Sequence, residues 1–250
     1  MITVGPGTHP EADEFWKTKL GSKPNGARVL GGAMVRNLAD IFENYYDMMV
    51  AYACDYPFEI PDGVKKIAVM WHQNYPFVAG FKVWQRVNIK LLNYDVDYYC
   101  NEPAILKLIK EGGGKAFYLP RFIDTRNYPV FNESKSVETL WFGNAWGEFQ
   151  DEFDYYKRTV KKPYWITHGE LGLGDKKIRD LNRYYTLQTV AKAKKVWAIG
   201  ISQLEAQFYG ADIVSYRDGI LPFYDQNTIR EYLIGLLDKI GAEKIPRLRK

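Results

Sequence analysis

The sequence predicts an α/β fold built from two parallel-sheet halves, on three observations. Short runs rich in β-branched and aromatic residues alternate with stretches of helical periodicity, the pattern of strands joined by crossover helices. The alternation halts over the polar, Pro129-containing stretch 120–136 and then restarts. The 250 residues, with 46% hydrophobic and 26% charged, are enough to bury a core in each of two small domains.

The first half opens with Ile2–Val4 and the run Arg28-Val29-Leu30, which leads into Gly31-Gly32. Met34 to Phe42 carries apolar residues at helical spacing. Asp47 to Ala53 and Lys66 to Trp71 read as buried strands, with a helix over Phe81 to Leu92 and a strand over Asp95 to Tyr99. A short helix over Ala104 to Ile109 is stopped by Gly112-Gly113-Gly114, and the strand Ala116 to Leu119 is ended by Pro120. In the second half, strands are predicted over Thr139–Phe142, Tyr164–Thr167, Val196–Ile199 and Ile213–Tyr216. Helices are predicted over Phe149–Tyr156, Ile178–Ala193 and Ser202–Tyr209, the last closed by Gly210. The clearest helix is Thr228–Ile240, with a Thr228/Glu231 capping box and the apolar stripe Ile229, Tyr232, Leu233, Leu236, Leu237, Ile240. The expected organisation is an N-terminal domain over 1–120, a linker over 121–136 and a C-terminal domain over 137–250. Alternation of this kind gives Rossmann-like sheets with helices on both faces, and ligands bind at the carboxyl ends of such strands. Two domains facing across a cleft would share that edge.

A net charge of +4 is mildly basic and scattered, apart from Lys244, Arg247, Arg249 and Lys250. A nucleic-acid partner is therefore possible but not favoured, since such proteins concentrate charge on one face. The two cysteines, Cys54 and Cys100, lie at the ends of apolar runs and have no metal or disulfide spacing. The N-terminus lacks the basic start and apolar core of a signal peptide, and no apolar run has membrane-spanning length. A cytoplasmic location is the expectation.

Two glycine-marked turns are the candidate ligand loops. Gly31-Gly32 stands between a short strand and a helix, where a phosphate or sugar can approach backbone and helix N-terminus. From Gly200 to Val214, a strand feeds a loop and a short helix that carries Glu205 in its first turn, where a carboxylate can accept from a ribose diol. Ser202 and Glu205 also match the capping box S-x-x-E, a purely structural role. His72 and His168 follow strands at their carboxyl ends and can contact a transferred sugar, phosphate or base. His9 lies in the N-terminal Gly-Pro loop.

These segments resemble a family. Gly31-Gly32-Ala33 with Val35, Leu38 and Ala39 is similar to the GGA opening of GT4-type retaining glycosyltransferases. Tyr118 to Asp124 resembles their iPNGiD segment. Leu204-Glu205-Ala206 with Gly210 and Val214 resembles their EA…G…V block. The three stand in the family's order along nearly the whole chain. The resemblance implies a GT-B fold, two Rossmann-like domains facing across a cleft. It implies hexosyl transfer with retention from a nucleotide-sugar such as a UDP-sugar, to an acceptor it does not specify. No cofactor and no essential metal are expected. By position, Glu205 and Ser202 would hold the donor, Gly31 and Gly32 would line its pocket, and His72 would be catalytic. Gly143, Asn144, His168 and Arg217 complete the donor side. Two positions depart from the pattern. Trp197 stands where the family has a second acidic residue, and the segment 142–148 lacks the family's Arg and Lys. Lys176, Lys177, Arg217 and Arg121 are the candidate replacements for the diphosphate charge. Two other readings stay open: a phage-type DNA-base glucosyltransferase, and a non-catalytic nucleotide- or sugar-binding protein on the same scaffold.

Overall fold

A computed structural model of the chain describes residues 2–4, 33–52, 60, 62–71, 91–143, 145, 149–167, 176–214 and 219–245. They form two compact units, Met1–Pro120 with Gln226–Lys250, and Arg121–Asp225. Each holds one parallel sheet flanked by helices, an α/β architecture compatible with a Rossmann-like fold.

In the first unit, strands β1 (Ile2–Val4), β2 (Met48–Tyr52), β3 (Lys66–Trp71), β4 (Asp95–Cys100) and β5 (Lys115–Tyr118) lie in sequence order, all parallel. The strands read as near-continuous apolar runs because both faces are buried. Met48, Val69, Tyr98 and Ala116 pack on one face with Ile105 and Ile109 of α2 (Pro103–Glu111). On the other face, the Phe42 ring, from α1 (Ala33–Phe42), stands edge-on to Tyr99 at 4.8 Å. The glycine triplet ends α2 for a steric reason as well as an entropic one. Gly113 has φ +81°, and a Cβ on Gly114 would stand 2.6 Å from the Ile109 side chain.

The second unit holds β6 (Val137–Gly143), β7 (Tyr164–Thr167), β8 (Ala193–Ala198) and β9 (Asp212–Val214), parallel, in the order β7-β6-β8-β9. Leu140, Phe142, Val196 and Ala198 pack with Val190 of α4 (Lys176–Lys192) and Ala206 of α5 (Ile201–Phe208). The opposite face, with Trp141, packs on Phe153 and Tyr156 of α3 (Gln150–Thr159).

The predicted strands and helices that fall on described residues form close to their expected bounds, with β8 starting earlier, at Ala193. The domain limits differ from expectation. Residues 121–136 belong wholly to the second unit, where Ile123 bridges Asp225 and Asp124 caps a 3₁₀ turn over Thr125–Asn127. Residues 226–250, assigned by sequence to the C-terminal domain, belong to the first unit. The cause is α6 (Thr228–Lys239): its Arg230 pairs with Asp40 through both nitrogens at 2.7 and 2.6 Å, and its Tyr232 Oη donates to the Tyr118 carbonyl at 3.1 Å. The Thr228/Glu231 capping box does not form. The N-cap is Asn227, whose side chain makes no capping hydrogen bond. Among the described residues no helix is long and apolar enough to cross a membrane. The predicted strand Arg28–Leu30, Cys54 and all but the end of the predicted helix over 81–92 lie outside the described residues.

Candidate functional site

The second sheet contains the topological feature on which ligand binding in open α/β sheets depends. The chain begins at β6, steps to β7 on one side, then crosses back to β8 on the other. Between β6 and β8 the connections therefore leave in opposite senses: β6 feeds α3 on the tryptophan face, and β8 feeds α5 on the other. A crevice opens at the carboxyl ends of two strands that diverge in this way. The described strands of the first sheet run in sequence order and show no such reversal.

A glycine stands at or just past the end of each strand, where the backbone needs one. Gly143 closes β6 with φ +141°, and Gly200 follows β8 with φ +61°. Neither conformation suits a side chain. Gly200 is also the N-cap of α5 and has no side chain to cap it, and the Gln203 N–H closes the first turn onto the Gly200 carbonyl at 3.1 Å. Ser202, in that first turn, is buried at 2% exposure. Its Oγ lies 3.7 Å from where a Cβ on Gly143 would stand. The fold thus brings Gly143, Gly200 and Ser202 together from two strand ends, an arrangement suited to an anion held by backbone N–H groups.

Glu205 stands elsewhere on the helix than the sequence suggested. α5 starts at Ile201, so Glu205 is in its second turn, and the expected S-x-x-E capping box does not form. Its carboxylate is 3% exposed and accepts from Tyr128 Oη at 2.7 Å. Gln203, fully buried, uses both ends of its amide: it donates to the Gly219 carbonyl at 3.1 Å and accepts from Leu221 N–H at 3.0 Å. Gln207 donates to the Leu221 carbonyl at 2.9 Å. At the far end of the helix Lys135 Nζ donates to the Tyr209 carbonyl at 2.7 Å, which matches a cation to the negative end of the helix dipole. Burial lowers the Lys135 pKa.

Of the residues predicted from sequence, Gly143, Ser202 and Glu205 are described. Gly31, Gly32, His72, Asn144, His168 and Arg217 lie outside the described residues, as does His9. Lys176 and Lys177 begin α4. Trp197 sits half-buried in β8 on the α3 face of the sheet, beside Tyr156 at 5.7 Å. Sequence reasoning marked Gly200 as the start of a candidate ligand loop but did not single out the positive φ it supplies. It also missed Tyr128 and Gln203. Tyr128 is 77 positions from its partner, and nothing local marks it. Among the described residues no group of three or more His, Cys, Asp or Glu is arranged to hold a metal. No protein-family model matches the chain, and no curated protein matches it in sequence.

Proposed function

We propose that the second unit binds the diphosphate of a nucleotide-sugar at the carboxyl ends of β6 and β8, and that the protein is a GT-B-type glycosyltransferase. The observation that carries the reading is the strand-order reversal between β6 and β8, with Gly143 and Gly200 at its two sides. Glycine at both ends leaves room for a phosphate against the backbone, and the α5 N-terminus supplies partial positive charge. The motif resemblance supplies the chemistry: hexosyl transfer with retention, from a donor such as a UDP-sugar, without an essential metal. Leaving-group charge would be stabilised by those N–H groups and by basic side chains.

Glu205 is the donor-ribose ligand in this reading, and it reaches that role by exchanging one hydrogen bond. The ribose diol takes the acceptor capacity now given to Tyr128 Oη. Tyr128→Phe should then tighten binding of UDP severalfold, while Glu205→Gln should weaken it and abolish donor turnover. The measurement is a thermal-shift titration of UDP, UDP-hexoses and uridine, followed by donor-hydrolysis assays. A nucleotide at a hundred times its Kd raises stability by about 2.7 kcal/mol. An absent shift for every diphosphate nucleotide removes the proposal.

The burial of Glu205 and its bond to Tyr128 also favour a second reading, a nucleotide-binding protein without transferase activity, in which the pair is structural. Under that reading nucleotides bind, Glu205→Gln leaves their affinity unchanged, and no donor is consumed.

A further inference from the structure

The α3 face of the second sheet carries a row of aromatic rings bordered by cations, none of which the crevice between β6 and β8 uses. Parallel pairing sets Trp165 of β7, Trp141 of β6 and Trp197 of β8 at one register level. α3 crosses the middle of that row, with Phe153 at 5.1 Å from Trp141 and 5.9 Å from Trp165. Trp141 is consequently buried, while the outer rings reach the surface. Trp165 is 40% exposed, and half-buried Trp197 lies 6.2 Å from Tyr155, itself 43% exposed. α4 and α5 pack on the opposite face. Among the described residues, α3 is the helix against this one.

Cations collect at the amino edge of the same face. α3 runs back from the end of β6 to the start of β7, so Lys157, Arg158, Lys161 and Lys162 all fall at that edge. β8 begins there too, and its Lys195 shares a face with Trp197 two residues on. Lys157 is paired with Asp154 at 2.8 Å. Exposed Asp212 lies opposite Lys195 across the β8–β9 pair. Five cations on this face thus meet two carboxylates, Asp154 and Asp212. Lys161, Lys162 and Lys195 are exposed and make no ion pair among the described residues.

We propose that this face binds single-stranded nucleic acid. Bases stack on Trp197, Tyr155 and Trp165, and phosphates run along Arg158, Lys161, Lys162 and Lys195. The pairing of exposed rings with a cation surplus selects this ligand class. A neutral sugar has no use for the cations, and a duplex hides the base faces that the rings would contact.

The test is fluorescence anisotropy of an end-labelled oligothymidylate of about twelve nucleotides, within the span that single-strand binding sites cover. The full chain is titrated at about 50 and about 200 mM salt. Neutralising about four phosphates of a single strand should make affinity fall about 50-fold between the two salts. The triple variant Lys161→Ala/Lys162→Ala/Lys195→Ala should bind weakly and lose only about threefold over the same range. Tyr155→Ala should weaken binding about tenfold at both salts and leave the salt slope unchanged. All these side chains reach the surface, so coincident melting curves will show the variants folded. The variants should also keep the wild-type thermal shift with UDP, because the crevice lies at the opposite edge of the sheet. Absence of binding at low salt overturns the proposal. So does a triple variant that binds like wild type, a Tyr155→Ala variant with unchanged affinity, or equal affinity for a duplex of the same length.

Discussion

At the residue scale, the first unit is organised around a buried hydrogen-bond chain. Tyr46 Oη donates to Asp97 Oδ2 at 2.6 Å and has one hydrogen to give, so the 2.5 Å contact with Tyr99 Oη must be a bond that Tyr99 donates. The carboxylate is only 7% exposed and takes the end of that chain. Removing the donor with Tyr46→Phe leaves a buried charge short of a partner, at a cost of about 2 kcal/mol. Urea denaturation at neutral pH measures this. The same rings make the fold sensitive to alkali. Burial pushes the Tyr46 and Tyr99 pKa values well above the ordinary 10.0. A raised folded-state pKa means the contribution is complete below pH 10.0 and is lost as the pH climbs past it. Wild type should therefore lose stability above that pH more steeply than Tyr46→Phe. Cys100 in the same core behaves as a small hydrophobe, its thiol pushed up to about 12 by burial.

At the scale of one element, α5 explains why a polar helix can be central. Ser202, Gln203 and Glu205 are all buried, and a stripe pattern alone would have left them on the surface. Gln203 and Gln207 act together as an amide clamp that gives the Leu221 N–H and carbonyl the partners a neighbouring strand would have given. Gln203→Ala strips the Gly219 carbonyl and the Leu221 N–H of these bonds, and should destabilise the second unit by about 2–3 kcal/mol. Hydrogen exchange at Leu221 checks it, since protection there should fall before that of β6 and β8. The apolar side of the helix was legible in Leu204 and Ala206. Its polar side was not, because the groups that satisfy it come from segments far along the chain.

At the scale of the whole molecule, the chain's return to the first unit is the largest departure from the linear reading. α6 buries Ile229, Leu233 and Leu237, as its periodicity required, but periodicity does not name the surface that receives them. Arg230 and Asp40 fix that choice with a two-pronged pair, and Arg230 also donates to the Asn37 carbonyl. The guanidinium holds the Asp40 carboxyl below its usual 3.8. A lowered folded-state pKa contributes stability above the ordinary value and loses it as the pH falls through the lowered one. Asp40→Asn should cost about 1 kcal/mol at neutral pH, a value kept small by the exposure of the carboxylate. The difference from wild type should vanish in acid once Asp40 is protonated. Parallel chemical-denaturation curves across the acid range test both the size and the sign.

Residue order alone determined the α/β class, the near-continuous apolar strands, the glycine-closed turns and the Leu233/Leu237 stripe of α6. All of these follow from interactions within a few residues. Only the tertiary structure decided the strand order, the reversal between β6 and β8, the Tyr128–Glu205 bond and the unit that receives α6. Those depend on contacts between positions far apart in the chain. A periodicity of two or of 3.6 says which side of an element is buried, not what buries it. The row Trp165, Trp141, Trp197 shows the difference most plainly: three unrelated positions in the sequence become neighbours because parallel pairing puts them in one register.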